Sequence, residues 1–373
     1  MIVYLCVIVF LVLFSLLFDW KGDCRIKNTC YYISMIFLIC LAGFRGEIGL
    51  DTITYSDWYP TLPPLNEMTL AKFSQSRFEP LFKIVCSTCK LFSDEWLLPQ
   101  FIFAVLINSS IFIFIKNHTQ SLFSCILLFF LGSFYVLNCE EIRQAVSFSI
   151  VLFALSYLEK GRTMKYFLAV FIAAGFHYSS LIFFILPFVK KIVSKPFWVF
   201  VISCFLFIVA ALVRDNLLNI IFYFSQSEYA DYLTQYSDGF MGGVVSRTIF
   251  NYISIMMSLI LIPVATYYLT VKDIKKNDTF LALFILYLFS VIINVQVVWF
   301  YRFVHIFQMA AIVVMANGWR VFLMRHKSLV KRIALLLMFT LYMYSLVNNS
   351  VFGYDETFEQ YRYELFVPYT LYF

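Results

Sequence analysis

Charged side chains are scarce in this 373-residue sequence: Asp, Glu, Lys and Arg together make up 13% of it, whereas ordinary globular domains carry about a quarter. Apolar residues make up 62%, and the mean hydropathy is +0.83. Because only a bilayer can act as solvent for this much apolar surface, a water-soluble protein is excluded. No stretch is both polar enough and long enough to form a soluble domain. The sequence therefore predicts one integral membrane domain over residues 1–373.

The signatures of several common chemistries are also missing. The sequence has no Gly-rich phosphate loop, no zinc-ligand spacing and no Gly-x-Ser-x-Gly motif. It has no Asp-x-Asp pair and no histidine cluster that suits a divalent ion, so it predicts neither a metal nor a cofactor. Most of its nine cysteines lie in apolar segments, where they behave as small hydrophobic residues. Cys86 and Cys89 have Cys-x-x-Cys spacing, but without a second pair this indicates one helix face.

What the sequence has in abundance is apolar runs long enough to cross about 30 Å of hydrocarbon. The runs are separated by polar segments and lie near residues 2–18, 29–44, 96–115, 120–137, 142–158, 166–189, 197–213, 248–270, 279–298, 303–318 and 328–347. The first run lacks the basic start and the cleavage site of a signal peptide, which indicates a retained helix. The predicted fold class is an all-α polytopic membrane protein with about 10–11 transmembrane helices.

The polar segments divide into two sets of opposite charge. One set holds 18 basic and 5 acidic residues and comprises segments 19–27, 116–119, 159–165, 190–195, 271–278 and 319–332. All remaining residues together hold 10 basic and 17 acidic side chains. Because cytoplasmic loops carry the excess of Lys and Arg, the first set is predicted to be cytoplasmic and both termini to face the outer side. The sizeable outer segments are then 45–95, 214–247 and 348–373.

One run conflicts with simple alternation across the membrane. Segments 159–165 and 190–195 are both basic, yet the single run 166–189 joins them. Either the charge rule fails once, or this run is a broken or re-entrant element. Gly175 can break a helix, and the serines after His177 can cap a new one. We therefore expect a break with His177 near its tip.

Candidate functional side chains collect on the predicted outer face. Arg45 ends the second run, and Asp51 and Tyr55 follow it after two glycines. Arg45 has two readings, a binding turn or a side chain that only reaches the headgroups. In Glu79-Pro80, the proline can open a helix, so Glu79 is either a general base or a partner of the helix dipole.

The stretch Glu140-Glu141-Ile-Arg143-Gln144 opens the run 142–158. A cation at a membrane surface is costly without a partner, which makes a functional role the default hypothesis for Arg143. The alternative is a pair between Glu140 and Arg143 on a lipid-facing rim. Gln144 lies on the same first turn and can face a cavity.

Further candidates lie later in the chain. His177 is either a cavity residue or a histidine satisfied by a backbone carbonyl. Tyr301-Arg302 and Arg247 bring two more arginines to the outer face. Several guanidinium groups around one cavity suit a diphosphate, and Tyr55 and Tyr301 could stack on sugars.

Together these motifs resemble the EpsG/Wzy-type family of polysaccharide polymerases. The resemblance is carried, in order along the chain, by Phe44-Arg45 with Gly49, Asp51 and Tyr55, by Glu79-Pro80, by Ile142-Arg143-Gln144-Ala145, by Phe176-His177-Tyr-Ser-Ser-Leu181 and by Tyr301-Arg302-Phe303. It implies a GT-C-like glycosyltransferase in the bacterial inner membrane, serving lipopolysaccharide (O-antigen) or capsule synthesis. Its substrates would be undecaprenyl-diphosphate-linked oligosaccharides met at the periplasmic face, with membrane lipid and a chain-length regulator protein as partners and no nucleic acid.

The resemblance also implies roles for these residues. In an inverting, metal-independent transfer, a base takes the proton of the acceptor hydroxyl, and His177 and Glu79 are the two candidates. Arg45, Arg143, Arg302 and Arg247 are expected to neutralise the departing diphosphate. Asp51, Tyr55, Gln144 and Tyr301 are expected to bind sugars or to orient those arginines.

Three rival functions compete with this reading. A membrane O-acyltransferase normally carries a His/Arg motif early, and the first two runs contain no histidine. A flippase or other transporter more often shows pseudo-symmetric halves and charges at the bilayer midplane, and neither is visible here. An O-antigen ligase differs mainly in its acceptor, and the early Arg and Asp motif favours the polymerase.

Overall fold

A computed structural model describes residues 2–22, 24–46, 50–75, 78–132, 134–192, 256–270, 278–296, 301–324, 328–348, 354–355 and 360–361. These residues are overwhelmingly helical, as predicted. Backbone N–H and C=O groups find no water in hydrocarbon, and a helix satisfies them within its own segment. Two short strands, β1 (Tyr354–Asp355) and β2 (Gln360–Tyr361), pair with each other.

The chain divides into two compact units, and the single membrane domain over residues 1–373 stays a prediction. The first unit comprises Met1–Pro187 with Asn349–Gly353 and Tyr361–Phe373, and the second comprises Phe188–Asn348 with Tyr354–Gln360. The first unit contains α1 (Ile2–Phe18), α2 (Arg25–Gly43), α3 (Leu50–Trp58), α4 (Leu70–Gln75), α5 (Pro80–Cys89), α6 (Leu97–His118), α7 (Leu122–Leu131), α8 (Phe134–Glu140), α9 (Ile142–Glu159) and α10 (Thr163–Ala174). Short 3₁₀ turns at Tyr59–Thr61 and Leu65–Glu67 connect α3 to α4.

Helix α11 (Leu186–Ile192) lies where the first unit ends along the chain. The second unit contains a π-helical turn (Met256–Leu261) followed by α12 (Ile262–Thr270), α13 (Asp278–Gln296), α14 (Tyr301–Leu323) and α15 (Leu329–Asn348). Within it, α14 packs against α12, α13 and α15. The hydroxyl of Tyr287 on α13 donates to the carbonyl of Leu259 in the π-helical turn at 3.0 Å.

Five helices of the described residues are long and apolar enough to cross a membrane: Arg25–Gly43, Leu97–His118, Ile142–Glu159, Arg302–Leu323 and Leu329–Val347. The pair α7 and α8 makes a sixth if it is one span, but it is bent by 59°. The predicted run 120–137 is thus broken after α7, which ends at Leu131. Gly132 follows as its C-cap, where a Cβ would lie 2.8 Å from the Phe134 ring. Four further runs correspond to shorter apolar helices, and run 197–213 lies outside the described residues.

The core of the first unit forms where α6 packs between α2 and α9, while α1 packs on α7 and α10 on α9. Buried tyrosines tie these helices together by donating to carbonyl groups of their neighbours. Tyr31 on α2 donates to Phe112 O at 2.7 Å, and Tyr135 on α8 donates to Leu38 O at 2.8 Å. A buried hydroxyl needs such an acceptor, so these bonds fix how the helices meet.

The predicted break in run 166–189 is present. Helix α10 ends at Ala174, and a 3₁₀ helix (Tyr178–Ile185) follows His177. This 3₁₀ helix turns back along α10, since the Tyr166 hydroxyl donates to Phe183 O at 2.9 Å and the rings of Phe167 and Phe184 lie 5.3 Å apart. The chain therefore reverses direction at the Gly175–His177 turn. That segments 159–165 and 190–195 share one side of a membrane stays a prediction.

Candidate functional site

Three of the predicted side chains meet in the first unit. Arg143 lies on the first turn of α9, Glu79 immediately precedes α5, and Tyr55 lies on α3. The Nη1 atom of Arg143 is 2.6 Å from Oε2 of Glu79, and its Nε donates to the Tyr55 hydroxyl at 3.1 Å. Residues 88 positions apart in sequence thus form one hydrogen-bonded cluster, which we call the Arg143 site.

The start of α5 explains why Glu79 is available to Arg143. Pro80 occupies the first helical position, where its missing N–H leaves no orphan donor. The next two N–H groups, of Leu81 and Phe82, donate to the Gly175 carbonyl at 2.8 and 3.4 Å. Because the turn after α10 caps α5 in this way, the Glu79 side chain makes no capping bond of its own. Its carboxylate therefore faces the guanidinium instead of its own helix end.

Gly175 is required for this contact. A Cβ at position 175 would lie 2.5 Å from the Cγ atom of Leu81, closer than real side chains approach. The glycine thus lets the α10 turn and the α5 start touch through their backbones. Ser147, one turn after Arg143 on α9, has its Oγ 3.4 Å from the His177 carbonyl. The His177 turn consequently packs against α9, the helix that carries Arg143.

The Arg143 site is largely withdrawn from solvent. The Glu79 side chain is 6% exposed and the Arg143 side chain 23% exposed. Two such charges are stable only when they pair, and an unpaired one would be strongly destabilising. The Arg143 guanidinium also lies 4.7 Å from the centroid of the Phe78 ring. Burial raises the pKa of the Tyr55 phenol, a shift that the nearby Arg143 only partly opposes, so Tyr55 remains a neutral hydroxyl.

Arg143 keeps donors for a further acceptor. Its Nη2 nitrogen has no hydrogen-bond partner within the residues that the structure describes, while Nε and Nη1 are engaged. Guanidinium N–H groups match phosphate and carboxylate oxygens in charge and geometry. A partly exposed, oriented cation with free N–H groups is an arrangement that can bind an anion.

His177 is positioned as a cap. Its Nδ1 accepts the Ser179 backbone N–H at 3.2 Å and lies 2.7 Å from the Ser179 hydroxyl oxygen. A ring whose Nδ1 accepts a hydrogen bond carries its proton on Nε2 when neutral. In this conformation the acceptor nitrogen of His177 is already engaged by the start of the 3₁₀ helix.

Arg45 differs from Arg143 in its surroundings. It is 4% exposed, and its guanidinium donates to Ala42 O at 2.6 Å, to Thr52 Oγ1 at 3.1 Å and to the Cys139 carbonyl. Gln100 on α6 in turn donates to the Arg45 backbone carbonyl at 2.8 Å. These partners are backbone or hydroxyl oxygens of the protein itself.

The other predicted residues are distributed as follows. Asp51 lies on the first turn of α3, and Gln144 is buried on α9 beside Arg143. Arg302 is the second residue of α14 in the second unit, so it belongs to a different compact unit from Arg143. The side chain of Tyr301 and the whole of Arg247 lie outside the described residues. Among the described residues, no group of three or more His, Cys, Asp or Glu side chains is arranged to hold a metal ion.

Sequence reasoning missed Lys83. It follows Glu79 by one helical turn on α5, is 5% exposed, and its Nζ donates to Phe73 O at 2.6 Å. Burial lowers the pKa of Lys83, and the charge of Glu79 opposes this shift. The four-residue spacing from Glu79 was the available signal, because side chains at that spacing share a helix face.

Comparison with known proteins gives one match. The EpsG family is matched over residues 28–371, a range that contains Arg45, Tyr55, Glu79, Arg143 and His177. No curated protein and no solved structure matches the chain significantly.

Proposed function

Because the chain belongs to the EpsG family, we propose that it polymerises undecaprenyl-diphosphate-linked oligosaccharide repeat units at the periplasmic face of the bacterial inner membrane. The growing glycan is transferred to the non-reducing end of an incoming lipid-linked unit, and undecaprenyl diphosphate is released. Family membership supports the coarser role of a polysaccharide polymerase. The observation that carries the finer proposal is the buried Arg143 site, with its ion pair at 2.6 Å and unengaged Nη2 donors.

Arg143 binds the departing diphosphate in this proposal. As the bond between the anomeric carbon and the diphosphate breaks, negative charge builds up on the phosphate oxygens. A guanidinium already oriented by Glu79 and Tyr55 stabilises that charge without reorganising. The sequence also offers Arg302 and Arg247 as diphosphate candidates.

Glu79 is the better candidate for the general base. Only its Oε2 is engaged by Arg143, and Oε1 accepts no hydrogen bond within the described part of the chain. The Nδ1 atom of His177 is engaged by Ser179. A base must reach the acceptor hydroxyl with a free lone pair, and Glu79 retains one. The hydroxyl attacks the anomeric carbon from the side opposite the diphosphate, so the centre is inverted, and Glu79 takes the proton.

Deletion of the gene in the native host tests the proposed function. The surface glycan is released and separated by gel electrophoresis, with the plasmid-borne gene as the complementation control. A polymerase predicts loss of the ladder with one capped repeat unit remaining. Complete loss of the glycan would point to a flippase or ligase, and an intact ladder without acetyl groups to an acyltransferase.

A further inference from the structure

We infer that Arg45 is a positioning residue for the Arg143 site and not itself a diphosphate ligand. The inference rests on the proposed function of that site. One Arg45 nitrogen, Nη2, donates both to Thr52 Oγ1 on α3 and to the carbonyl of Cys139 on α8. Arg45 therefore joins two of the three parts of the chain that supply the Arg143 site.

The spacing along the chain makes this connection direct. Thr52 precedes Tyr55 by three residues on α3, which is about one helical turn. Cys139 precedes Arg143 by four residues, at the junction where α8 ends and α9 begins. The Arg45 guanidinium thus sets the distance between α3 and the α8–α9 junction, and with it the bond between Tyr55 and Arg143.

Two helix ends explain how a buried guanidinium is tolerated here. Ala42 lies in the last turn of α2, and Cys139 lies in the last turn of α8. Carbonyl groups in the last turn of a helix lack intrahelical partners and carry partial negative charge. Arg45 donates to one such carbonyl from each helix, so its charge is stabilised without any carboxylate among its described partners.

Little room remains for a diphosphate at Arg45. Its Nε is the one guanidinium nitrogen without a partner in the described residues. Arg45 and Asn108 are both among the residues that line one cavity. That cavity offers about 10 Å³ to the centre of a water-sized sphere, which is enough for about one water molecule. A phosphate group is several times larger, so this cavity beside Arg45 can hold a single water but not a diphosphate.

The test uses full-length protein in lipid nanodiscs. The substrate is the lipid-linked repeat unit that accumulates in the native host when the gene is deleted. Thr52 is fully buried and its hydroxyl accepts a hydrogen bond from Arg45, so Thr52→Val removes that acceptor. We expect kcat to fall about tenfold, the value of one hydrogen bond to a charged group, with KM unchanged. Thr52→Ser, which keeps the hydroxyl, should behave as the native protein.

Coupling to the Arg143 site provides the second readout. Tyr55→Phe removes the acceptor of Arg143 Nε. If Arg45 acts through this bond, the Thr52→Val and Tyr55→Phe double variant should be about as active as the weaker single variant. A matched control is Thr270→Val, which removes a buried hydroxyl that bonds only within α12 and should leave kcat unchanged.

Several results would overturn the inference. Multiplicative losses in the double variant would mean that Arg45 does not act through Tyr55 and Arg143. Loss of inhibition by inorganic diphosphate in Arg45→Lys would identify Arg45 as a ligand of the diphosphate. This measurement also decides between the two roles if Thr52→Val fails to fold. Failure of the proposed function is seen separately, as an absence of polymer from the native protein with the same substrate.

Discussion

Arg45 and Arg143 have the same predicted role, yet their surroundings are opposite. Arg143 is 23% exposed along its side chain, pairs with a carboxylate and has free N–H groups. Arg45 is 4% exposed and donates to two backbone carbonyls and one hydroxyl of the protein. Glu79 and Tyr55 hold the Arg143 side chain in place. Arg45 instead connects α3 to the end of α8.

The difference shows that the role of an arginine in such a motif follows from the groups to which it donates. A guanidinium whose donors end on backbone carbonyls stabilises an arrangement of helices. A guanidinium with two nitrogens engaged by the protein and one nitrogen without a partner can bind an anion. The following predictions test this contrast, from the largest expected effect to the smallest.

Replacing Arg143 should have the largest effect. Arg143→Ala removes the cation that would meet the departing diphosphate, and we expect turnover to fall by about a thousandfold or more. Arg143→Lys should restore little, because an ammonium cannot hold Tyr55 and Glu79 in the same fork geometry. Polymer length on gels and turnover per folded molecule in nanodiscs are the measurements. Full-length polymer from Arg143→Ala would remove Arg143 from the site.

Replacing the two candidate bases should separate them. Glu79→Gln keeps the shape of the side chain but removes the proton acceptor, and a loss of about a hundredfold in kcat is expected. His177→Ala should cost less, because the His177 Nδ1 caps the 3₁₀ helix and is not free to take the proton of the acceptor hydroxyl. Both variants are assayed at equal folded concentration. A larger loss in His177→Ala than in Glu79→Gln would transfer the role of base to His177.

Arg45→Met should lower activity by a different route. It leaves three buried acceptors without a donor, each worth about 1–3 kcal/mol, so the unfolding midpoint should fall by several degrees and turnover by about tenfold. Inorganic diphosphate, as a mimic of the released group, distinguishes the two arginines. Arg45→Met should keep most of its inhibition by diphosphate, whereas Arg143→Met should lose it. Loss of inhibition in both variants would show that both arginines bind the anion.

Much of the fold followed from composition and periodicity. Apolar runs predicted the helical membrane class, and the basic segments on either side of run 166–189 predicted a break whose position at Gly175–His177 is confirmed. Long apolar runs predict helices reliably, because a helix satisfies the hydrogen bonds of its own backbone groups in hydrocarbon. The bend of 59° between α7 and α8 was not predicted, because the sequence shows one continuous apolar run at this place.

The candidate site could be predicted from the sequence only in part. Tyr55, Glu79 and Arg143 were each singled out, since charged and polar residues are rare at the edges of apolar runs. Which of them touch, and that Arg45 is satisfied by helix ends, depends on three-dimensional packing between segments far apart in sequence. Lys83 was missed because it lies in the predicted outer segment 45–95, where a lysine normally faces water.

Gly175→Ala should have the smallest effect and acts on the Arg143 site alone. The new methyl group would lie 2.5 Å from Leu81 Cγ, so the start of α5, and Glu79 with it, must shift away from the α10 turn. Overpacking of this kind costs about 1–3 kcal/mol, and a displaced Glu79 should lower turnover several-fold. Gly22→Ala is the matched control, because nothing lies within 4 Å of its Cβ position. Thermal unfolding and turnover of the two variants, measured side by side, check the prediction. Equal behaviour of both would mean that the backbone contact between Gly175 and α5 does not set the position of Glu79.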